Sequence, residues 1–392
     1  MAETTTETMV LNMGPQHPST HGVLRLIVEV DGETIVRCQP DIGFLHTGIE
    51  KQFETHTWQQ AVTDSDRMDY LSPLTNNLGY VLAVERLMGI EVPPRCQAIR
   101  VLFCELSRIA SHLVWLGTSA LELGAQSVFF YCFQAREAIL DMYEATAGVR
   151  MNLSYMRVGG LMYDIPPQLP AMVARFLEEL PRWISDFRAL LDGNPIFRER
   201  VQGVGVLTKE RALAFGVTGP SLRASGVPWD VRKAYPYSGY EKYSFDVPTS
   251  TAGDVWARYE VRMAEMEESG KIVRQAIEGM PEGAWKTDDR KVALPPREEL
   301  HRSMEALIHH FKLVAQGFPV PAGAVYQAVE SPRGELGFYV VSDGGTHPHR
   351  VRVRPPSFYN TSVLTRLLEG CLLADAVAII ASMDMVMGEV DR

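Results

Sequence analysis

Between residues 23 and 38 the chain alternates. Val23, Arg25, Ile27 and Glu29 fall on one side of an extended backbone, and Leu24, Leu26, Val28 and Val30 fall on the other. This is the two-residue period of a strand with one face buried. Asp31-Gly32 marks a tight turn and residues 33–38 run back, so the pattern predicts an N-terminal β-hairpin. From Ile99 the period changes. Leu102, Phe103, Leu106, Ile109, Leu113 and Leu116 recur at helical spacing, as do Met172, Phe176, Leu180, Trp183, Phe187 and Leu190. Pro181 falls inside the second run and should kink or split it, because proline lacks the N–H and crowds the preceding turn. A third helix is expected from an Asp254 N-cap to about Gly279. A fourth is expected over 298–316, with Leu300, Met304, Leu307, Phe311 and Val314 on one face and Gly317 as its stop. The C-terminal part returns to strands at 324–330, 337–342 and 350–354, followed by a helical segment over 362–380.

These elements predict an α+β chain, mainly helical, with a β-part drawn from both ends. The expected organisation is one domain over 1–392: a hairpin region at 1–45, a helical body at 46–320, and C-terminal strands and tail at 321–392. Residues 218–248 are rich in Gly, Pro, Ser and Tyr. Their aromatic content predicts an ordered loop rather than a linker.

Composition narrows the function classes. A net charge of −10 with no basic run argues against nucleic-acid binding. The polar, acidic start MAETTTETMV lacks the charge and apolar core of a secretory signal, and no apolar run is long enough to span a bilayer. The expected location is therefore cytoplasmic or docked on a membrane through partners. Cys38, Cys96, Cys104, Cys132 and Cys371 form no CxxC pair, which predicts reduced core thiols rather than a zinc ribbon or a local iron–sulfur site.

The candidate chemistry lies mostly near the N-terminus. In HPSTHG, His17 and His21 stand four apart, but Pro18 pushes His17 toward extended conformations and no Glu lies between the histidines, so a helical metal pair is disfavoured. A hydrogen-bonded turn and a ligand-binding, proton-donating histidine remain open. In DRMDYLSP, Arg67 and its flanking acids read as a surface salt-bridge cluster, while the Tyr70 phenol can donate to a carbonyl. GFLHTGIEK reads as a loop entering a helix. Gly334 and Gly337, in a strand-like segment, mark close approach of backbone or ligand. In the pair His309-His310 one ring should face the core and one solvent. His347 and His349 read as polar surface.

Taken together, MGPQHPSTHGVLRL, GFLHTGIEK, DRMDYLSP, ELSRIASHL, LRASGV, DVRKAYPYSGY, SPRGELGFYVVSDG, RPPSFYN and VMGEVDR closely resemble the D-subunit (49 kDa-type) family of the proton-pumping NADH:quinone oxidoreductase, respiratory complex I. The resemblance runs from residue 13 to the C-terminus. It implies a scaffold similar to the [NiFe] hydrogenase large subunit, whose two metal-binding CxxC pairs are missing here, so no metal is expected. It also implies a quinone pocket shared with the iron–sulfur B-type subunit, in which His21 and Tyr70 hold the headgroup, Glu122 tunes His21, and Thr118 lines the cavity. The family usually carries Asp where this chain has Glu122, and Asp-Pro where it has Asp384-Met385.

The partners so implied are the iron–sulfur B-type subunit with its 4Fe-4S cluster, the C-type subunit, other peripheral-arm subunits and the membrane-arm subunit that forms the quinone channel. NAD and FMN belong elsewhere in the complex, and quinone is the substrate. The implied place is the cytoplasmic face of the cell membrane. Competing readings are the equivalent subunit of a ferredoxin-driven complex, a metal-bearing hydrogenase subunit, and a structural connector.

Overall fold

The computed structural model describes residues 8–392. The predicted hairpin is present as strands Arg25–Asp31 and Thr34–Asp41, antiparallel, with a register shift at Glu29/Val30. Leu24, Leu26, Val28 and Val30 point into the core, as the alternation requires. A third strand, Met9–Met13, adds to its edge. The C-terminal strands Gly323–Ser331, Gly334–Ser342 and Arg350–Arg354 form a second three-stranded antiparallel sheet. The two chain ends therefore build two separate sheets, not a common one.

The helical body is centred on Pro94–Glu122, a helix with residues of its middle turns buried all round. That is the mark of a helix surrounded by protein. It packs against Gln126–Ala147 and Val255–Glu278, while Leu169–Leu191 packs on both of these. Helix Pro73–Met88 lies on the C-terminal sheet. Asp254 caps its helix as expected, its carboxylate accepting from the Ala257 N–H at 2.7 Å, and Gly279 ends it.

Several details differ from the pattern-based expectation. Helix Leu169–Leu191 runs unbroken through Pro181. The buried stripe of Phe176, Leu177, Leu180, Ile184 and Phe187 outweighs one lost hydrogen bond. The 298–316 helix is two, Arg297–Leu300 and Met304–Ala315. The break comes where the Ser303 hydroxyl caps the second by accepting from Ala306 N–H. Met304, Leu307, Phe311 and Val314 of that helix face outward. The 362–380 segment is three shorter pieces, Pro356–Ser362, Leu364–Leu367 and Leu373–Met383. His309 and His310 are both half-buried, while His347 and His349 are exposed. Residues 218–248 are ordered, with single helical turns at Pro220–Arg223 and Val231–Ala234. Among the described residues, no helix is long and apolar enough to cross a membrane.

Candidate functional site

HPSTHG folds as a single 3-10 turn, Pro18–Thr20. His17 is its N-cap, and its Nδ1 accepts from the Ser19 N–H at 3.2 Å. His21 closes the turn in the left-handed region, φ 55°, a conformation His tolerates better than most residues. Gly14 supports the loop from below. At φ +87° it lies so close to the Leu24 carbonyl oxygen that a Cβ would come within 2.2 Å. The two histidines are thus separate parts: His17 shapes the loop and His21 is presented by it.

Both His21 and Tyr70 combine open surface with dense surroundings. Tyr70 keeps 37% of its surface accessible, and His21 is also exposed. Even so, burial lowers the His21 pKa and raises that of the Tyr70 phenol. Both groups are thus accessible yet partly desolvated.

The charges acting on His21 are Asp384, which raises its pKa, and Arg333, which lowers it. Those acting on Tyr70 are Asp69 and the same Arg333. Arg333 is fully buried at the tip of the hairpin joining strands 323–331 and 334–342. Its Nη1 donates to Asp69 Oδ2 at 2.8 Å and to the Ser111 hydroxyl, and its Nη2 lies 3.3 Å from Asp384 Oδ1. One guanidinium fork therefore ties the Tyr70 loop to the carboxylate that acts on His21. Asp69 also fixes that loop directly, accepting from the N–H groups of Leu71 at 3.1 Å and Ser72 at 3.2 Å. Asp384 sits at the left-handed C-cap of helix 373–383, and that helix packs on the 18–20 turn.

The acids of DRMDYLSP are not a surface cluster. Asp66 and Asp69 are fully buried, and Asp66 accepts from Ser154 N–H at 2.8 Å and Asn77 Nδ2 at 2.6 Å. Of the three charged residues only Arg67 is exposed, donating to the Thr63 carbonyl.

Glu122 ends the 94–122 helix, half-buried. Burial pushes its carboxyl up to about 7, and its Oε2 has no hydrogen-bond partner among the described residues. It forms no hydrogen bond or ion pair with His21 among the described residues. The Thr118 hydroxyl donates back to its own helix, to the carbonyls of Val114 and Trp115.

The C-terminal segment closes the site. Asp391 accepts from the N–H groups of Gly43 at 2.9 Å and Leu45 at 2.7 Å, so the GFLHTG loop and the VMGEVDR end are one unit. Glu389 is buried and pushed up to about 8, and it accepts a hydrogen bond from Ser357. Met385 is buried, with its sulfur 3.0 Å from the Thr361 hydroxyl. At Gly388 a Cβ would meet the Met68 carbonyl oxygen at 2.7 Å and the Tyr70 ring at 3.4 Å. Gly388→Ala is therefore expected to lower stability by about 1–3 kcal/mol through overpacking. Thermal unfolding of the variant checks this.

Apart from the Arg333 cluster lies a second buried charge system. Arg223 reaches Glu265 at 2.6 Å and Glu330 at 2.7 Å. Arg232 reaches Asp230 at 2.6 Å and Glu105 at 3.0 Å. His112 lies 3.0 Å from Glu265, with its pKa lowered by burial. Arg262 joins the two systems, stacked over Trp115 and 3.9 Å from Asp384. Among the described residues no three His, Cys, Asp or Glu side chains gather as a metal ligand set.

Residues 122–392 match the family described as respiratory-chain NADH dehydrogenase, 49 Kd subunit. The chain belongs to this 49 kDa subunit family. It is 59% identical over 389 residues to the D 2 subunit of NADH-quinone oxidoreductase from Roseiflexus sp. (strain RS-1), covering 98% of this chain and 93% of the relative. It is 58% identical over 384 residues to the D 1 subunit from Solibacter usitatus, covering 98% and 94%. It is 52% identical over 386 residues to the D-type subunit from Trichlorobacter lovleyi, covering 98% and 99%.

Sequence reasoning missed Arg333, Asp384, Asp69 and Ser111 as site residues. The available signal was weak: an arginine between Pro332 and Gly334 at a hairpin tip, where a solvent-exposed turn is the usual expectation.

Proposed function

We propose that this chain is the quinone-binding subunit of the peripheral arm of a proton-pumping NADH:quinone oxidoreductase, forming the quinone-reduction site with an iron–sulfur subunit. The observation that carries the reading is that His21 and Tyr70 are both accessible, both partly desolvated, and both acted on by one buried guanidinium, Arg333. Two further expectations stand within this proposal. The scaffold is hydrogenase-like, and the chain forms one domain on the cytoplasmic face of the membrane.

The chemistry follows from proton demand. Reducing a quinone to a quinol adds two electrons and two protons, and the electrons come from a cluster in the neighbouring subunit. The Tyr70 phenol is held protonated by burial and the adjacent Asp69, so it donates a hydrogen bond to one carbonyl oxygen. His21 serves the other oxygen. As charge develops there, the imidazole side gains a proton-donating role that Asp384 favours and Arg333 opposes. Thr118 belongs to this proposal as a cavity-lining residue and Glu122 as a carboxylate that tunes His21.

A photoreactive quinone added to the assembled complex tests the reading. Labelling is expected on the peptides bearing 14–24 and 67–72, and excess native quinone should compete it away. Labelling confined to other subunits would leave this chain a connector. Stoichiometric nickel and iron in the purified chain would instead favour the hydrogenase alternative.

A further inference from the structure

A cavity of about 820 Å³ shares no residue with the His21–Tyr70–Arg333 cluster. It lies between the Arg157–Tyr163 turn and residues 285–318. Its volume is in the range that holds a small organic ligand. Leu300, Leu313, Val314 and Phe318 form one apolar wall. Val314 is also 59% exposed on the outward face of helix 304–315, so this wall continues to the surface.

The polar lining is one-sided. Arg157, Lys286 and Arg297 line the cavity and no Asp or Glu does, in a chain with 48 acids and 38 bases. Arg157 contacts only the Met162 sulfur at 3.6 Å through its guanidinium, and Lys286 donates to the Leu294 carbonyl at 2.9 Å. Neither makes an ion pair among the described residues. Burial lowers the pKa of both. The carboxylate acting on Arg157 is Asp66, which Ser154 and Asn77 already engage. Gln59 Nε2 is buried at the same cavity with no partner among the described residues. A desolvated guanidinium without counter-charge costs free energy that an anionic ligand would recover, and the half-buried Lys286 adds to that attraction.

We propose that this cavity binds a single-chain anionic amphiphile, a long-chain carboxylate or monoacyl phosphate. Its headgroup sits on Lys286 and Arg157, and its hydrocarbon lies along the Leu300–Phe318 wall. A neutral quinone fits less well, since it would fill the apolar wall and leave the cations unpaired.

The test uses the assembled complex and a palmitate analogue with a diazirine in its tail. Photolabel is expected on peptides spanning 157–163 and 294–318. Oleate and a monoacyl phosphate should both compete, and their ranking identifies the headgroup. Hexadecanol should not compete. Lys286→Gln with Arg297→Gln, both at partly or fully exposed positions, should cut labelling at least ten-fold. Equal competition by hexadecanol or by a quinone analogue would overturn the proposal, as would labelling unchanged in the double variant. Photo-leucine at position 313 cross-linking to a neighbouring subunit would overturn it too, because a polypeptide would then occupy the cavity. The competition series needs no variant, so a misfolded mutant leaves the test intact.

Discussion

Arg333→Met is expected to destabilise the folded chain by about 3–5 kcal/mol, the cost typical of breaking a buried ion pair by removing one partner. The substitution keeps an unbranched apolar stem and removes the charge. It leaves Asp69, 0% exposed, and Asp384, 5% exposed, as two carboxylates without their shared cation. Burial already pushes the Asp69 carboxyl up, and Asp384 pushes it further, so Arg333 is the cation that opposes protonation there. A loss of this size is a large fraction of a stability of roughly 5–15 kcal/mol, so poor assembly is the expected cellular result. Denaturant unfolding of the purified chain measures it. Arg333→Lys should fall between, because one ammonium cannot reach Asp69, Ser111 and Asp384 as the fork does. Arg333→Met combined with Asp69→Asn should cost less than the two single changes added together, since the pair is removed together. Wild-type stability in Arg333→Met, or strict additivity in the double variant, would show that Arg333 does not hold the site together.

That cluster also shows what the sequence could and could not disclose. Alternation at 23–38 was legible because one face of a strand is core and the other is not. The 94–122 helix was legible because its apolar residues keep a helical period. The cap at Asp254 was legible because the rule is local. The Arg333–Asp69–Asp384 set was not, because Asp69 and Asp384 lie 264 and 51 residues from Arg333 along the chain, and no local pattern marks a buried ion pair. Asp66 and Asp69 even carried the opposite signal, since an acid-rich stretch with an arginine normally lies in water. For His21 and Tyr70, residue chemistry alone left a turn and a ligand contact both open, and the family resemblance selected the second. What the fold adds is the partner. The resemblance pointed to Glu122 as the acid that tunes His21, and the fold adds Asp384 as a further carboxylate whose charge raises the His21 pKa.

That partner sets the second large effect. His21→Ala in the assembled complex is expected to lower quinone reductase kcat by roughly 10²-fold or more, the range of a lost positioned proton donor. Asp384→Asn tests how His21 is tuned. Burial lowers the His21 pKa and Asp384 raises it, so removing that charge moves it lower still. If imidazolium is the donor, activity falls as pH rises through its pKa, and the alkaline limb of kcat/KM should therefore move to lower pH in Asp384→Asn. Asp384→Glu should restore it. A merely structural role for Asp384 would lower activity at every pH without moving the limb. Stability runs the opposite way with pH. The folded state disfavours imidazolium, so it binds fewer protons here than the unfolded chain does. This contribution is fully present above the ordinary value of 6.5 and is lost as pH falls through the lowered folded value. Wild type should therefore unfold more readily on mild acidification than His21→Ala does, by the part due to this site. A pH profile for Asp384→Asn that overlays wild type would separate Asp384 from the chemistry and leave it as scaffold.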